Sequence, residues 1–456
     1  MTPTPSAPVV PLQAPKDVSL GQIQAELDAI WTTYEKPSAD GSTLGAMKAT
    51  TFTLVVYEPE ETQQLLAELG YYTGPIDGIG GPRMDAAIRA AQQRYGFDVN
   101  GKASSALLDK LRREVAVCRG IDVQEGDTCN LSLYSRDAQG SGLADAIAAQ
   151  NPCRIISLFP GNGSDEGVAA QVSAYCPIQK RASNTLVCCE YITLKGTEPA
   201  LERVTGLVNS LMISELPSFF WWKGSPNLDQ DLFQNLAKSC TMLIVDSSRF
   251  MTDGEQDLAR LQQLRNDGVQ VADLNWRRLA PWQELTAEAF DAPERWQGLL
   301  EIDRVTIDYE RGNATQALMF LGWLASRLNW QPLTYNKEGG DYDIQRITFT
   351  NEMGKAIEAE LAAIPTADPG VVVGDLLDLR LTSTNPDADC CTVLCSETTG
   401  CMRMESGGGA QSCWVNQVTS LGDEKAETLL SEQLRSTMRD LLYEDSLAIV
   451  AKIVNL

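Results

Sequence analysis

The sequence predicts an open α/β sheet interrupted by a small three-helix insert and followed by an α+β domain. Three observations carry that prediction. Buried-looking strand runs alternate with amphipathic helices through the middle of the chain; a turn-rich helical block breaks the alternation early; and strand-like segments lie between helices in the last third. At 456 residues the chain exceeds one ordinary core and divides into two or three domains. The expected boundaries are 1–57 for a tail, a helix and the first strand, 58–117 for the insert, 118–310 for the rest of the α/β domain, and 311–456 for the α+β domain.

A Pro-rich tail leads to LGQIQAELDAIWTTYE (20–35), where Leu20, Ile23, Leu27 and Ile30 recur at helical spacing. TFTLVVYEPE (51–60) reads as a buried strand. Leu65, Leu66 and Leu69 mark a short helix, and GYYTGPIDGIGGP is dense turn chemistry. Pro82 opens a second helix, at a position where its missing N–H costs nothing. After the FDVNG turn, Leu107, Leu108, Leu111 and Val115 mark a third helix. The block resembles the peptidoglycan-binding-like module in LLAELGYYTGPIDGIGGP, AAIRAAQQRYGFDVNG and ALLDKL. It departs at Ala91, where an aromatic is common, and at Met84, where Thr is common. That resemblance implies either a cell-wall-binding protein or, because a fold does not carry its function with it, an interaction or spacer insert.

Past a polar linker at 119–141, SGLADAIAAQNPCRIISLFPG reads as a helix and a strand, closing a βαβ unit that the insert has split. VAAQVSAYC, NTLVCCEYITLKG, PSFFWWKG and CTMLIVDSS read as strands, with helices at 228–238 and 254–266 among them, the pattern of a Rossmann-like open sheet. GNGSDEG (161–167) loosely matches a dinucleotide loop, but Asp165 and Glu166 oppose a pyrophosphate and the next segment alternates like a strand. A connecting loop is the expectation. The last third begins with the helix 313–330, continues through YDIQRITFT, VVVGDLLDLRLTST, CTVLC and SCWVNQVTS as antiparallel strands, and closes with two helices.

Composition narrows the function. The 37 basic and 61 acidic side chains leave a net charge of −24, which repels phosphate backbones and anionic lipid and argues against nucleic-acid or membrane binding. The first residues lack the basic start and apolar core of a signal peptide, and no apolar run reaches a membrane span, so a cytoplasmic protein is expected. The chain has no histidine, the side chain on which most acyl-transfer triads and catalytic zinc sites depend. No catalytic residue, cofactor site or metal site is therefore assigned.

ELPSFFWWKG (215–224), ADLNWRRLAPWQEL (272–285) and ALMFLGWLASRLNW (317–330), together with NPCRIISL and TFTLVVYE, resemble the glucose-6-phosphate dehydrogenase assembly protein (OpcA) family in order and spacing. The insert matches the cyanobacterial members. The resemblance implies a non-catalytic partner that binds glucose-6-phosphate dehydrogenase, promotes its active oligomer and raises its activity. Trp276, Arg277, Arg278 and Trp282, and with them Trp221 and Trp222, are candidates to form or brace the contact surface, since Trp and Arg dominate interfaces. The competing expectation is that the Trp residues are core and the Arg pair satisfies helix ends or buried carboxylates.

Cys153, Cys176, Cys188, Cys189 and Cys240 sit among apolar neighbours and are expected to pack as core. CCTVLCSETTGC (390–401) differs, with Ser, Thr, Gly and Asp around it. Its spacing is not that of a zinc knuckle. Cys391, Val393 and Cys395 share one face of a strand, and SETTG turns the chain so that Cys401 faces Cys395. Two readings stay open: inert cysteines, or a labile disulfide opened by a thioredoxin-like reductant, with Cys395–Cys401 the first choice and Cys391–Cys395 the second.

Overall fold

The computed structural model describes residues 9–34, 45–48, 50–58, 61–72, 82–118, 152–161, 164–177, 185–250, 253–291, 293–366, 372, 374–385, 387–388, 392–397, 401–406, 414–420 and 426–456. They form two compact units, Met1–Val245 with Leu430–Thr437 and Asp246–Leu429 with Met438–Leu456.

The first unit begins with β1 (Val9–Val18), α1 (Ile23–Tyr34), β2 (Gly45–Lys48) and β3 (Thr53–Tyr57). The insert helices follow as α2 (Glu61–Glu68), α3 (Pro82–Tyr95) and α4 (Ser105–Cys118). Next come β4 (Arg154–Pro160), β5 (Ala169–Pro177), β6 (Thr185–Gly196), α5 (Glu198–Arg203) and α6 (Thr205–Leu211). The unit continues through β7 (Ser218–Trp222), α7 (Asp231–Ser239) and β8 (Met242–Val245).

Within this unit the strand order is β1-β5-β6-β4-β3-β7-β8, with β2 beside β6. The strands from β6 to β8 are parallel, while β1 and β5 pair antiparallel at one end. Central β3, TLVVY, is buried at every residue, as a parallel strand covered on both faces must be. The parallel β3–β4 pair is what the split βαβ unit requires; its expected helix at 141–151 lies outside the described residues. Part of the expected tail is instead β1. It accommodates Pro11 and Pro15 because it lies at the sheet edge, where a missing N–H breaks no ladder, and its register shifts fall beside them.

The insert packs its own core from Leu65, Leu66, Met84, Ile88, Ala91, Leu107, Leu111 and Val115. Gln92 closes it. Its side chain donates to Asn100 Oδ1 and Lys102 O and accepts from the Asn100 and Gly101 amides, fixing the FDVNG turn. Ala91 and Met84, the two departures from the module's pattern, are both core residues.

The second unit opens with a 3₁₀ turn at Ser247–Arg249, then α8 (Gly254–Asn266), β9 (Val271–Asp273), α9 (Leu274–Arg278), α10 (Ala280–Glu288) and α11 (Pro293–Glu301). β10 (Arg304–Glu310), α12 (Thr315–Arg327), β11 (Gln331–Gly339), β12 (Ile344–Thr350), β13 (Ala356–Ile364) and β14 (Leu376–Thr382) follow. β15 (Thr392–Glu397), β16 (Cys401–Ser406), β17 (Trp414–Ser420), α13 (Ala426–Gln433), whose last residues from Leu430 on count with the first unit, and α14 (Leu441–Val454) are the remaining elements among the described residues. The sheet order is β11-β12-β13-β10-β14-β15-β16-β17.

Two expectations change here. The sheet is mixed, not purely antiparallel, because β10 and β13 run parallel. The expected boundary at 310/311 also falls in the wrong place, since β10 lies centrally in this second sheet. AIEAELAAI in β13 has helix-favouring composition, yet alternation puts Ile357, Ala359 and Leu361 inside, between β10 and β12. α12 is buried from Thr315 to Ala325. Gly322 lets α14 approach it, since a Cβ there would meet the Ser446 carbonyl at 2.7 Å and a Val450 methyl at 2.8 Å. Ser446 Oγ then donates to Met319 O at 2.6 Å.

Candidate functional site

In a doubly wound sheet the ligand crevice lies at the carboxyl ends of the strands where the chain order reverses. Here the chain runs outward from β3 through β4 to β6, then returns to the other side of β3 as β7 and β8. The reversal therefore lies between β3 and β7, whose paired ends are Tyr57 and Trp222. That place is filled. The Trp222 ring stacks on Tyr57 with centroids 3.7 Å apart, meets Phe233 edge-on at 4.8 Å, and donates its Nε1 to Ser225 O. One residue further along, Lys223 Nζ pairs with Glu58 Oε1 at 2.5 Å and lies 4.3 Å above the Trp221 ring. Successive residues face opposite sides of a sheet, so one face holds the aromatic stack and the other the ion pair. Trp221 and Trp222 are 2% and 1% exposed, interior side chains rather than a surface patch.

The Trp/Arg motif has a different setting, in the second unit. Asp273 ends β9 and caps α9 by accepting from the Asn275 amide at 2.9 Å; its same Oδ1 accepts from the Ser247 amide at 3.0 Å. Arg278, one turn on, forks onto Asp246 at 2.8 and 2.9 Å, with both side chains buried. Asn275 donates to Ser247 Oγ and Thr315 Oγ1, and its Oδ1 accepts from Gln316 Nε2, which also reaches Asp375. Asn313 Nδ2 donates to Ser247 O at 2.8 Å. Gly374, at φ +91°, lies against the Asn313 backbone where any Cβ would collide.

Charge is sorted within this network. Burial raises the Asp246 carboxyl, but the Arg278 charge and its hydrogen bonds outweigh burial, and the net shift is downward. Arg278 lies near enough to feel the Asp273 charge but forks onto Asp246 instead. Burial pushes Asp273 up to about 6, against the pull of the Ser247 amide and with a further push from Asp246. Its Oδ2 and the hydroxyl of buried Tyr443 both lack a hydrogen-bond partner among the described residues. Tyr443 is raised by burial and then by the Asp273 charge.

The structure thus places Trp276 inside, donating to Asp440 Oδ2 at 2.9 Å, and Trp282 inside as well. Arg278 satisfies a buried carboxylate, and Arg277 is half-buried. Asp246, Ser247, Asn313, Thr315 and Gln316 escaped the sequence reading because they are isolated polar residues scattered over separate segments. The available signal was polar residues abutting apolar runs, in VDSS at the end of β8 and NATQ at the start of α12.

Among the cysteines, Cys391 lies outside the described residues. The β15–β16 register pairs Cys395 with Arg403 and Cys401 with Glu397, so the two cysteines are diagonal neighbours instead of directly opposite. In the first unit, Cys176 and Cys188 form a disulfide, against the expectation of core packing alone. Cys153 and Cys189 remain free with sulfurs 4.0 Å apart. Burial pushes the Cys240 thiol up to about 12. In the GNGSDEG segment, the Arg203 guanidinium holds the Asp165 carboxylate below its usual range, leaving an anionic pair partner where a phosphate would need donors. No helix among the described residues is long and apolar enough to cross a membrane.

Comparison with known proteins defines first a class. Residues 144–263 match the N-terminal domain of the glucose-6-phosphate dehydrogenase subunit family, residues 269–447 match the C-terminal domain of the same family, and 57–111 match a peptidoglycan binding domain. The chain is 57% identical over 447 residues to the OxPP cycle protein OpcA of Nostoc punctiforme, covering 98% of this chain and 95% of the relative. It is 53% identical to that of Synechocystis sp., covering 100% of this chain and 95% of the relative. With the Synechococcus elongatus protein the identity is 48%, over 98% of each chain. The chain belongs to the OpcA family. Among solved structures, an aldose-aldose oxidoreductase from Caulobacter crescentus aligns at 12% identity with a TM-score of 0.33, covering 56% of this chain and 78% of that one, and bears no argument.

Proposed function

We propose that this chain is a non-catalytic, cytoplasmic assembly partner and allosteric activator of glucose-6-phosphate dehydrogenase. One observation carries the reading: both regions outside the insert match domains of the glucose-6-phosphate dehydrogenase subunit family. The filled switch point supports it, since an aromatic stack and a neutralised ion pair stand where a doubly wound enzyme would hold its cofactor. Activation requires tighter binding to the active oligomer than to the inactive one. Trp276, Trp282, Arg278, Trp221 and Trp222 brace the contact surface from within, and half-buried Arg277 touches it. A Cys395–Cys401 disulfide, opened by a thioredoxin-like reductant, modulates activation.

The test is titration of the dehydrogenase with this chain, reading oligomer mass and activity together. Stoichiometric complex formation with raised activity is expected, and no complex at micromolar concentrations would sink the proposal. Arg277→Ala is expected to weaken the complex about tenfold at unchanged fold, a loss typical of an interfacial arginine. Cys395→Ser is expected to abolish the response of activation to redox state.

The match at 57–111 favours one second reading, a peptidoglycan-associated binding protein. Retention of the full chain on insoluble peptidoglycan, competed by soluble fragments, would favour it over an insert that serves as a spacer.

A further inference from the structure

The disulfide between Cys176 and Cys188 lies in a specific place. β5 and β6 pair antiparallel, and the register that opposes Tyr175 to Cys189 sets Cys176 opposite Cys188 one step on. Each half-cystine strand also carries one of the first elements of the chain on its other side. β1 pairs with β5 at Val10↔Cys176, and β2 pairs with β6 at Lys48↔Cys188. The sulfurs are covered by those same elements, for Ala46 of β2, Leu12 of β1, and Trp31 and Tyr34 of α1 make the cluster around them.

A second tie lies two residues away. Glu190 is fully buried and accepts from Trp31 Nε1 at 2.6 Å and Arg154 Nε at 2.7 Å, while Lys48 Nζ pairs with it at 2.7 Å. One carboxylate therefore joins α1 and β2 to the sheet beside the sulfurs they cover. The neighbouring thiols differ. Cys189 points to the opposite face, next to Cys153, and those two are free.

We propose that Cys176 and Cys188 are a thiol–disulfide exchange site for a dithiol reductant, and that its redox state sets how firmly β1, α1 and β2 are clasped onto the first sheet. A thiolate of the reductant attacks one Sγ and breaks the S–S bond, forming a mixed disulfide. The reductant's second thiol displaces it. The chain gains two electrons and two protons as a pair of thiols, and the dithiol leaves as a disulfide. Both cysteines are only 1% exposed, so attack requires the clasp to lift; in turn, the covalent bond fixes the spacing of the two strands on which the clasp pairs. The site is separate from the β15–β16 hairpin and stands whether or not the chain binds the dehydrogenase.

The experiment uses the full chain purified without reductant, then alkylated and mapped by mass spectrometry before and after dithiothreitol. Cys176 and Cys188 are expected to be blocked before reduction and labelled after it. Trp31→Ala, which removes one hydrogen bond to a buried carboxylate and part of the cover, is expected to speed their reduction roughly tenfold. Amide exchange across residues 9–34 is expected to rise at least about tenfold on reduction while β7 and β8 stay unchanged. The Cys395→Ser variant is expected to respond in the same way, and Cys176→Ser with Cys188→Ser to exchange fast without dithiothreitol. Free thiols at 176 and 188 before reduction, an unchanged reduction rate in Trp31→Ala, or equal exchange at 9–34 in both redox states would overturn the proposal; these wild-type and Trp31→Ala outcomes decide it even if the double variant does not fold.

Discussion

The carboxyl end of the β3–β7 pair and the Trp/Arg motif both bury charge, but they hold it in opposite ways. At β3–β7 one ion pair sits among aromatic rings, and packing dominates. Around α9 the Asp246–Arg278 pair is one link in a web that joins three separate chain segments through Ser247, Asn275, Asn313, Thr315 and Gln316. A plug resists entry, whereas a web fixes where loops stand. The same vocabulary of tryptophan and buried ion pair therefore serves occlusion in one unit and positioning in the other.

Mutations can break the contrast. The largest effect is expected from Trp222→Ala, which empties the plug and costs about 3–5 kcal/mol, read from the urea midpoint of the first unit. Arg278→Ala should cost the second unit about 3–4 kcal/mol by leaving Asp246 charged and buried, and pairing it with Asp246→Asn should recover only part, because Asp246 also accepts from Ser248. If that double variant regains full stability, the web reduces to a single ion pair.

Asp273→Asn gives the next effect, and it depends on pH. The folded unit keeps Asp273 protonated up to about pH 6, while the unfolded chain releases that proton above 3.8. Folding takes up a proton between those values, so this group's contribution falls as pH rises through the window and stays low above it. The swing is roughly 3 kcal/mol at most. Asp273→Asn cannot ionise, so it should be the more stable protein at about pH 8, keep about half of that advantage at about pH 5 and lose it below about pH 3.8, measured by unfolding at all three. A wild-type profile that stays flat would mean the carboxyl finds a partner. The smallest effect is expected at the plug's ion pair, where Glu58→Gln with Lys223→Met should change stability by only about 1 kcal/mol, since a buried pair gains little over neutral groups of similar volume.

Much of the first unit was legible because its strands are uniform apolar runs and its helices are amphipathic. In the second, α8 falls on the expected 254–266. β1 was not legible, since two prolines deny the usual strand signal until an edge position excuses them. β13 was hidden by alanine and glutamate, whose helix preference yields to two flanking strands. For the site, the motif drew attention to Trp276, Arg278 and Trp282, but the setting of Trp276 depends on a partner as distant in sequence as Asp440. Cys176 and Cys188 could have been paired from sequence: two adjacent strands of one hairpin, read antiparallel, bring them together.

The path of the chain near Leu430–Thr437 bears on how the protein is made. That stretch belongs to the first unit although the second unit's strands precede it, and Met438–Leu456 returns to the second. Gln433 Nε2 contacts Met242 Sδ across 191 positions of sequence. α14 then packs on α12 through Gly322, a site whose two sides are synthesised more than a hundred residues apart. Neither unit can finish folding on the ribosome as soon as its own first segment emerges, so the usual order, in which each domain closes before the next is translated, does not apply. The nascent chain must keep both unfinished units from aggregating until α13 and α14 have been made.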